Sequence, residues 1–333
     1  MTARPLIVLA VAPHPDGRAL LEAEARVAEC GTLTEEGLIR AAADADGILV
    51  RHRPACTERL LAACPRLRVV GRYGAGLDTV DLAAATRLGI AVVHAPEANA
   101  DAVAEHTLML MLCCAKRTRA LDRMARAGDW GAARYRGITE LRGKTLGIVG
   151  VGNIGRRVAR LAGALGMRVL GHDPWVSAEE IRRRGAEPVE TLEALLPQAD
   201  VVTWHAPLTP ETRHRIDERT IRLMKPGAVF VNTARGGVQD ERALHAALEE
   251  GRLRAVALDV WEAEPPSPDN PLLARDDVVC TPHVAGVSEE ADRAIALQVA
   301  GAMLRVLRGE RPQTLANADV WPRRRRPRGE PPR

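Results

Sequence analysis

The sequence predicts an α/β protein with two doubly wound parallel sheets. Its 333 residues are 46% apolar, enough for a sizeable core and about two domains. Short apolar runs alternate with helical patterns in both halves of the chain, which is typical of parallel sheets with helices on both faces. A glycine-rich turn in the middle of the chain follows one such run and opens a helix, as it does in Rossmann-like folds.

Four apolar runs in the first hundred residues are predicted strands, at residues 6–12, 47–50, 69–71 and 90–93. Helical patterns separate them near residues 19–28, 57–63 and 82–88. Polar residues follow two of these strands, where open α/β sheets place ligand contacts. Residues 50–53, with Arg51, lie where one strand stops, and residues 71–78, with Arg72, lie where the other stops. The glycines of the second segment expose N–H groups that could receive a carboxylate, and a plain glycine turn is an equal alternative.

A long helix is predicted from residue 99 to about residue 127, apolar on most sides before it becomes basic. We interpret His106 in this helix as a core or interface histidine, and the pair Met109 and Met111 as core filler. Further strands are predicted at 168–172, 201–204, 228–232, 254–259 and 278–281. An amphipathic helix at 289–308 then returns to the first domain.

Gly150, Gly152 and Gly155 follow an apolar strand with the spacing G-x-G-x-x-G. The first permits a tight turn, the second lets a pyrophosphate approach the backbone, and the third lets helix and strand pack closely. The next strand ends in Asp173, where a carboxylate can bind the adenosine ribose hydroxyls. Since this carboxylate would repel a 2′-phosphate, NAD is predicted over NADP. A glycine triplet alone is often only a turn. Here the strand before it, the helix after it and Asp173 favour dinucleotide binding.

Three strand ends in the second half carry groups suited to the nicotinamide-linked oxidation of an alcohol. That reaction needs a base for the hydroxyl proton and a cation for the carboxylate and the developing oxygen charge. Arg235 offers a planar bidentate guanidinium, and His283 titrates in the range of an acid–base catalyst. Glu264 could orient the imidazole and stabilise its charged form. Taken singly, each could be a surface or turn residue with no catalytic role. Together at the carboxyl edge of one sheet, the three predict an active site.

The order of these motifs resembles the D-isomer-specific 2-hydroxyacid dehydrogenases, most closely their phosphoglycerate dehydrogenase-like branch. The motifs are G-V-G-N-I-G at 150–155, H-A-P-L-T-P-E-T at 205–212, N-T-A-R-G-G at 232–237, L-D-V-W-E-A-E-P at 258–265 and T-P-H at 281–283. The resemblance covers roughly residues 45 to 318. It implies an NAD-dependent oxidoreductase acting on the CH–OH group of a small anionic 2-hydroxy acid, with 3-phosphoglycerate, hydroxypyruvate and glyoxylate as candidates.

Two other functions stay open beside this one. One is an NAD-sensing protein similar to the corepressors that share the fold, and the other is a phosphite dehydrogenase with the same three residues. Formate dehydrogenases resemble this branch but lack the glutamate, so Glu264 argues against that activity. The substrate itself stays open, because Arg53, Tyr73 and Thr79 depart from the usual pattern of the branch.

By the same resemblance, Arg235 would bind the substrate carboxylate and carbonyl, His283 would exchange the proton, and Glu264 would be its partner. The cofactor would contact Gly150, Gly152, Asn153, Ile154, Gly155, Asp173, His205, Ala206, Pro207, Thr212, Thr233, Ala234, Asp259 and Gly286, with Asp259 near the nicotinamide amide. The substrate side would comprise Arg51, Arg72, Gly74, Ala75, Gly76 and Asn99, with the two arginines facing a substrate phosphate.

The resemblance also implies an inserted domain. The NAD-binding domain, residues 98–286, would interrupt a substrate domain made of residues 1–97 and 287–321, and homodimers would form through the NAD-binding domain. Residues 322–333, with six Arg and one Glu, are predicted to be a disordered tail. The tail has a charge of +5 and the whole chain a net charge of +4, so residues 1–321 carry −1. No nucleic-acid partner is therefore predicted.

Cysteine usage and apolar run lengths indicate the compartment. The six cysteines show no C-x-x-C pair and no metal-like spacing, which predicts free thiols, no metal and a cytoplasmic protein. The apolar run at 6–12 is stopped by Pro13 and is too short for a signal peptide. The longest apolar run, residues 108–115, is too short to span a bilayer, so no membrane association is predicted.

Overall fold

The computed structural model describes residues 4–326, which form two compact units. Residues 4–99 and 287–326 make up the first unit, and residues 100–286 make up the second. Each unit contains one parallel sheet, of five strands in the first and seven in the second, with helices against it. The predicted fold class, an α/β protein with two Rossmann-like sheets, is confirmed.

The first unit is built on strands β1 (Leu6–Leu9), β2 (Arg26–Glu29), β3 (Gly47–Val50), β4 (Val69–Arg72) and β5 (Ala91–Val93). The helices between them are α1 (Pro15–Glu24), α2 (Glu35–Ala42), α3 (Glu58–Ala63) and α4 (Leu82–Arg87). The strands lie in the order β2-β1-β3-β4-β5, and each neighbouring pair is parallel. β3 and β4 are buried at every position, as expected of central strands covered on both faces.

The second unit contains strands β6 (Thr145–Val149), β7 (Arg168–His172), β8 (Glu187–Pro188), β9 (Val201–Trp204), β10 (Ala228–Asn232), β11 (Leu253–Leu258) and β12 (Val278–Cys280). Its helices are α5 (Ala100–Lys116), α6 (Thr118–Arg126), α7 (Asn153–Ala164), α8 (Ala178–Arg183), α9 (Leu192–Leu195), α10 (Glu218–Leu223) and α11 (Glu241–Glu249). The strand order β12-β11-β10-β9-β6-β7-β8 reverses direction between β6 and β9. Ligands bind at such switch points, outside the carboxyl ends of the strands.

The chain then re-enters the first unit as α12 (Glu289–Leu307), which packs along α1 and over β4. The hydroxyl of Ser288 caps this helix by accepting a hydrogen bond from the backbone N–H of Ala291. Ile295, Val299 and Met303 are buried among the side chains of β1, β3 and β4. The core on this face of the first sheet therefore depends on a helix that is far away in sequence.

The predicted long helix at 99–127 is wrong as a single element. α5 and α6 are separate helices, because Arg117 between them has a φ of 55°, a left-handed conformation that interrupts the helical hydrogen bonds. The interpretation of Met109 as core filler is also wrong, since this side chain is 40% exposed, whereas Met111 is buried. The helical pattern predicted to reach residue 28 ends at Glu24, and the following residues form the edge strand β2.

The predicted disordered tail is wrong for residues 322–326. Residues 318–323 form a 3₁₀ helix, and the backbone N–H of Arg325 donates to the carbonyl of Gly89 at 2.8 Å. The Arg325 guanidinium donates to the carbonyls of Cys64 and Leu67, both at 2.9 Å. A guanidinium has five donors, so it can satisfy several carbonyls at once and hold an otherwise polar segment against the sheet unit. Residues 327–333 lie outside the described residues.

Candidate active site

The glycine turn joins β6 to α7 at the carboxyl edge of the second sheet. Gly150 has a φ of 90°, and a Cβ there would lie 2.6 Å from the backbone nitrogen of Ala206 beside β9. A Cβ at Gly155 would overlap the carbonyl of Gly150, so only glycine lets α7 start this close to the turn. At Gly152 a Cβ would meet no atom within 4 Å, which leaves open space beside the N-terminus of α7, where Asn153 and Ile154 begin the helix. This shape fits a dinucleotide pyrophosphate.

We expect Gly155→Ala to abolish NADH binding, because the added methyl group meets backbone atoms that cannot move aside like a flexible side chain. Gly163→Ala, in the same helix, is the matched control, since its methyl group would meet no atom within 4 Å. That control should bind NADH normally and gain about 0.5–1 kcal/mol in the free energy of unfolding. Fluorescence titration with NADH and thermal unfolding measure both variants. Equal NADH affinities would contradict the steric role assigned to Gly155.

Asp173 is the first residue after β7 and is held against the glycine turn. Its Oδ2 accepts a hydrogen bond from the backbone N–H of Val151 at 2.9 Å, and its Oδ1 accepts one from the N–H of Trp175 at 3.0 Å. Each carboxylate oxygen keeps a second acceptor site for a ribose hydroxyl. Arg184, which sequence reasoning missed, donates to the carbonyl of Val151 at 2.5 Å and so fixes the turn. It stands in a run of three arginines with nothing to single it out.

The segment after β9 also lies at the switch point. The ring nitrogen Nε2 of His205 shares a hydrogen bond of 3.0 Å with the hydroxyl of Thr203, and its Nδ1 is buried without a hydrogen-bond partner in the described chain. Burial lowers the pKa of His205 to about 3, so the ring is neutral. The Thr212 hydroxyl donates to the carbonyl of Pro207 at 2.8 Å and closes this loop. Ala206 lines the glycine turn through its contact with Gly150.

The loop after β10 carries Arg235 and is fixed by buried amides. The Asn232 side chain donates from Nδ2 to the carbonyl of Arg235 at 2.8 Å and accepts at Oδ1 from the N–H of Ala234 at 2.8 Å. A Cβ at Gly236 would overlap the carbonyl of Trp261, so this loop packs backbone to backbone on the loop after β11. Arg235 is therefore presented from a rigid loop next to the one that bears Glu264.

His283 and Glu264 form a hydrogen-bonded pair. The Nδ1–H of His283 donates to Glu264 Oε2 at 2.7 Å, and Glu264 Oε1 accepts from the backbone N–H of Trp261 at 3.2 Å. The two side chains are 32% and 39% exposed, so a small molecule can reach them. Because Nδ1 faces the glutamate, any proton exchange at this ring would take place at Nε2. The structure thus brings together two of the three predicted catalytic side chains in direct contact.

Asp259 supports the loop that carries His283. The buried carboxylate of Asp259 accepts from the hydroxyl of Thr281 at 2.6 Å and from the backbone N–H groups of Val284 and Ala285 at 2.9 and 2.8 Å. The loop ends at Gly286, the last residue of the second unit. The observed role of Asp259 is to hold this loop, and its contact with the nicotinamide amide stays a prediction.

The first unit brings together most of the residues predicted to be on the substrate side. At the end of β4, Arg72 is buried and donates to the carbonyl of Tyr73 at 2.7 Å, while Gly74 has a φ of 132° and a Cβ there would overlap the Arg72 guanidinium. The guanidinium of Arg51 lies 5.8 Å from the centroid of the Tyr73 ring. Ala75 accepts a hydrogen bond at its carbonyl from His94 at 2.9 Å. Gly76 follows in the same loop, and Asn99 is the last residue before the second unit.

Burial lowers the pKa of His94 against the opposing effect of its hydrogen bond to the carbonyl of Ala75, and the nearby Arg72 lowers it too, so the neutral imidazole is favoured. The positive charge at this sheet edge therefore comes from the arginines.

Among the described residues no helix is long and apolar enough to cross a membrane, and no group of three or more His, Cys, Asp or Glu is arranged to hold a metal ion.

Residues 108–285 match the family model described as D-isomer specific 2-hydroxyacid dehydrogenase, NAD binding domain. This segment covers more than half of the chain. The chain belongs to the D-isomer specific 2-hydroxyacid dehydrogenase family. The predicted family and the predicted cofactor, NAD, are thereby confirmed, and the glycine turn, Asp173 and the β10–β12 loops all lie inside the matched NAD-binding domain.

Known members of the dehydrogenase family are similar along most of this chain. It is 44% identical over 304 residues to D-3-phosphoglycerate dehydrogenase of Methanocaldococcus jannaschii, which covers 91% of this chain and 58% of that protein. It is 41% identical over 294 residues to glyoxylate reductase of Aeropyrum pernix, covering 86% and 87%. The D-lactate dehydrogenase of Aquifex aeolicus, solved with NAD and lactic acid, superposes with a TM-score of 0.80 at 29% identity, covering 94% and 99%. The chain thus spans little more than half of the phosphoglycerate dehydrogenase relative.

Proposed function

We propose that the protein is an NAD-dependent D-2-hydroxyacid dehydrogenase acting on a small anionic 2-hydroxy or 2-oxo acid. The observation that carries this proposal is the His283–Glu264 pair, held on loops that adjoin the Arg235 loop at the sheet edge that bears the glycine turn. An acid–base group with a carboxylate partner and an adjacent guanidinium are the groups that this chemistry requires of the protein.

In the direction of oxo-acid reduction, bound NADH supplies the hydride that adds to the carbonyl carbon. Arg235 binds the substrate carboxylate and the carbonyl oxygen, and its positive charge stabilises the negative charge that develops on that oxygen. His283 gives the Nε2 proton to the oxygen as the hydroxyl forms. Glu264, bonded to Nδ1, orients the ring and stabilises its protonated form before the transfer. In alcohol oxidation His283 takes the proton back.

We propose that the second unit binds NAD and that the first unit binds the substrate. The NAD-binding domain would be residues 98–286, inserted in a substrate domain formed by residues 1–97 and 287–321. Arg51 and Arg72 at the edge of the first sheet support an anionic substrate, because guanidinium groups bind carboxylates and phosphates with two parallel hydrogen bonds. The candidates are 3-phosphoglycerate, hydroxypyruvate and glyoxylate.

A substrate panel tests the proposed function. We expect the purified protein to oxidise NADH with hydroxypyruvate, glyoxylate or phosphohydroxypyruvate, and to use NADPH more slowly because Asp173 repels a 2′-phosphate. Absorbance of the reduced nicotinamide measures the rate. NADH binding without turnover on a wide panel of 2-oxo acids would contradict the proposal and favour the NAD-sensing alternative. Reduction of NAD with phosphite alone would favour the phosphite dehydrogenase.

We infer a homodimer formed through residues 109–138. Five of the exposed large apolar side chains lie in this segment: Met109, Leu112, Trp130, Tyr135 and Ile138. Trp130 and Tyr135 are 70% and 71% exposed, and the Arg134 guanidinium lies over both rings at 5.7 and 4.4 Å. An apolar surface of this kind, bordered by polar groups, is typical of a protein–protein interface.

Light scattering tests the dimer. We expect Trp130→Asp to shift the dimer towards monomers, because a carboxylate would be buried in an apolar interface. Trp175→Asp is the matched control, since Trp175 is 94% exposed but lies outside residues 109–138, and this variant should keep the mass of the wild type. A monomeric wild-type protein, or a dimer that Trp130→Asp leaves intact, would contradict the inference.

We further propose the cytoplasm as the compartment. All six cysteines of the chain carry free thiols. Burial raises the pKa of both Cys56 and Cys114 to about 12, so these thiols stay protonated and unreactive. Buried free thiols of this kind are typical of proteins in a reducing environment.

A further inference from the structure

Two neighbouring side chains of α5 reach the two loops that carry the proposed catalytic groups. His106 Nε2 lies 3.0 Å from the hydroxyl of Thr281, at the start of the His283 loop. The Thr107 hydroxyl shares a hydrogen bond of 3.0 Å with that of Thr233, in the Arg235 loop. Neither His106 nor Thr107 has a part in the reaction proposed above. α5 is the first element of the second unit and the His283 loop is its last, so the contact of His106 with Thr281 joins the two ends of the unit.

The direction of the hydrogen bonds around Thr281 can be assigned. Its hydroxyl has one proton, which it donates to the carboxylate of Asp259 at 2.6 Å. The hydroxyl oxygen therefore accepts from His106, whose Nε2 carries the proton. Burial lowers the pKa of His106, against a smaller opposing effect of Asp259, so the ring is a neutral donor. The result is a chain of hydrogen bonds in which His106 donates to Thr281 and Thr281 donates to Asp259.

Asp259 passes this constraint to the His283 loop. Its backbone carbonyl accepts from the N–H of His283 at 2.8 Å, and its carboxylate accepts from the next two N–H groups, of Val284 and Ala285. His283 has a φ of 54°, a left-handed conformation that is strained for a non-glycine residue. The loop keeps this conformation only while its neighbours hold it, so the direction of the imidazole depends on where the Asp259 carboxylate is held.

We propose that His106 is a positioning residue for His283, acting through the Thr281 hydroxyl and the Asp259 carboxylate. This inference rests on the proposed function, in which His283 exchanges the proton. It assigns to α5 the task of setting the direction of the imidazole relative to a bound substrate. His106 has no direct part in the proton transfer and acts only through these two groups.

Kinetics of paired variants test the proposal. We expect Thr281→Val and His106→Leu each to lower kcat by up to about 100-fold, because a small displacement of the acid–base group is enough to slow proton transfer. NADH affinity should change far less than kcat, because the glycine turn and Asp173 lie on other loops. Thr281→Ser keeps the hydroxyl and His106→Gln keeps an N–H donor near Nε2, so both should restore most of kcat. The double variant should lose no more than either single variant, because the two groups act in one chain. His245→Leu, on α11, is the control and should retain wild-type kcat.

A readout that needs no turnover separates this proposal from the proposed function. In protein labelled at its histidine rings, the His283 resonance is assigned by its absence in His283→Gln. We expect it to shift or broaden in Thr281→Val and in His106→Leu, and to return in Thr281→Ser. An unchanged His283 resonance, or a full wild-type kcat in both apolar variants, would overturn the positioning role. If the wild type turns over no 2-oxo acid, the proposed function fails and the resonance alone decides the role of His106.

Discussion

Arg235→Ala is expected to lower kcat/KM for 2-oxo-acid reduction by about 10³-fold, because the reaction loses the cation that stabilises the developing oxygen charge. NADH affinity should survive, since the glycine turn and Asp173 belong to other loops of the same sheet edge. The variant loses the hydrogen bond from the guanidinium to the carbonyl of Ala234 at 2.6 Å, but the Asn232 amide still bonds to backbone groups of Ala234 and Arg235 and should keep the loop in shape.

Steady-state kinetics and NADH fluorescence titration measure the two effects separately. Arg242→Ala is the matched control. It removes an exposed arginine from α11, the helix that follows the Arg235 loop, and should leave kcat/KM and NADH affinity unchanged. If Arg235→Ala retains wild-type kcat/KM, or loses NADH binding together with activity, the assignment of Arg235 to the substrate is wrong.

His283→Gln is expected to lower kcat by about 10²–10⁴-fold, the usual contribution of a positioned acid–base group. Glutamine can still donate a hydrogen bond to Glu264 but cannot exchange a proton near neutral pH. Stopped-flow measurement of NADH oxidation over a range of pH gives the rate of the chemical step. A variant that keeps wild-type kcat would show that another group supplies the proton.

Glu264→Gln separates orientation from charge in the same pair. It keeps a polar partner for Nδ1 but removes the negative charge 2.7 Å from the ring, so the protonated imidazole loses stabilisation. The rate of oxo-acid reduction should therefore fall below that of the wild type, because less of the proton donor is available. A variant that reduces the oxo acid at the wild-type rate would refute the electrostatic role of Glu264.

Much of the fold is legible in the sequence because the central strands are buried on both faces. Such strands are continuous apolar runs, as β3, β6 and β10 show, and they stand out without any knowledge of their neighbours. The edge strands β2 and β8 are mostly exposed and carry no such run, so the sequence does not reveal them. The sequence does not reveal the break at Arg117 either, because a single left-handed residue leaves the helical pattern on both sides intact.

The sequence by itself determined the family, the cofactor and the candidate reaction. A sequence motif is enough to recognise these features, because they depend on local backbone geometry and on the chemistry of single side chains. They are the glycine spacing, the aspartate after β7, and Arg235, Glu264 and His283. Only the tertiary structure decided which groups hold those residues in place. His106 and Thr281 are 175 positions apart, and the tail arginine Arg325 bonds to a carbonyl 261 positions before it. A hydrogen bond over such a separation has no periodicity or spacing in the chain, because its geometry exists only after the sheet and its helices have packed.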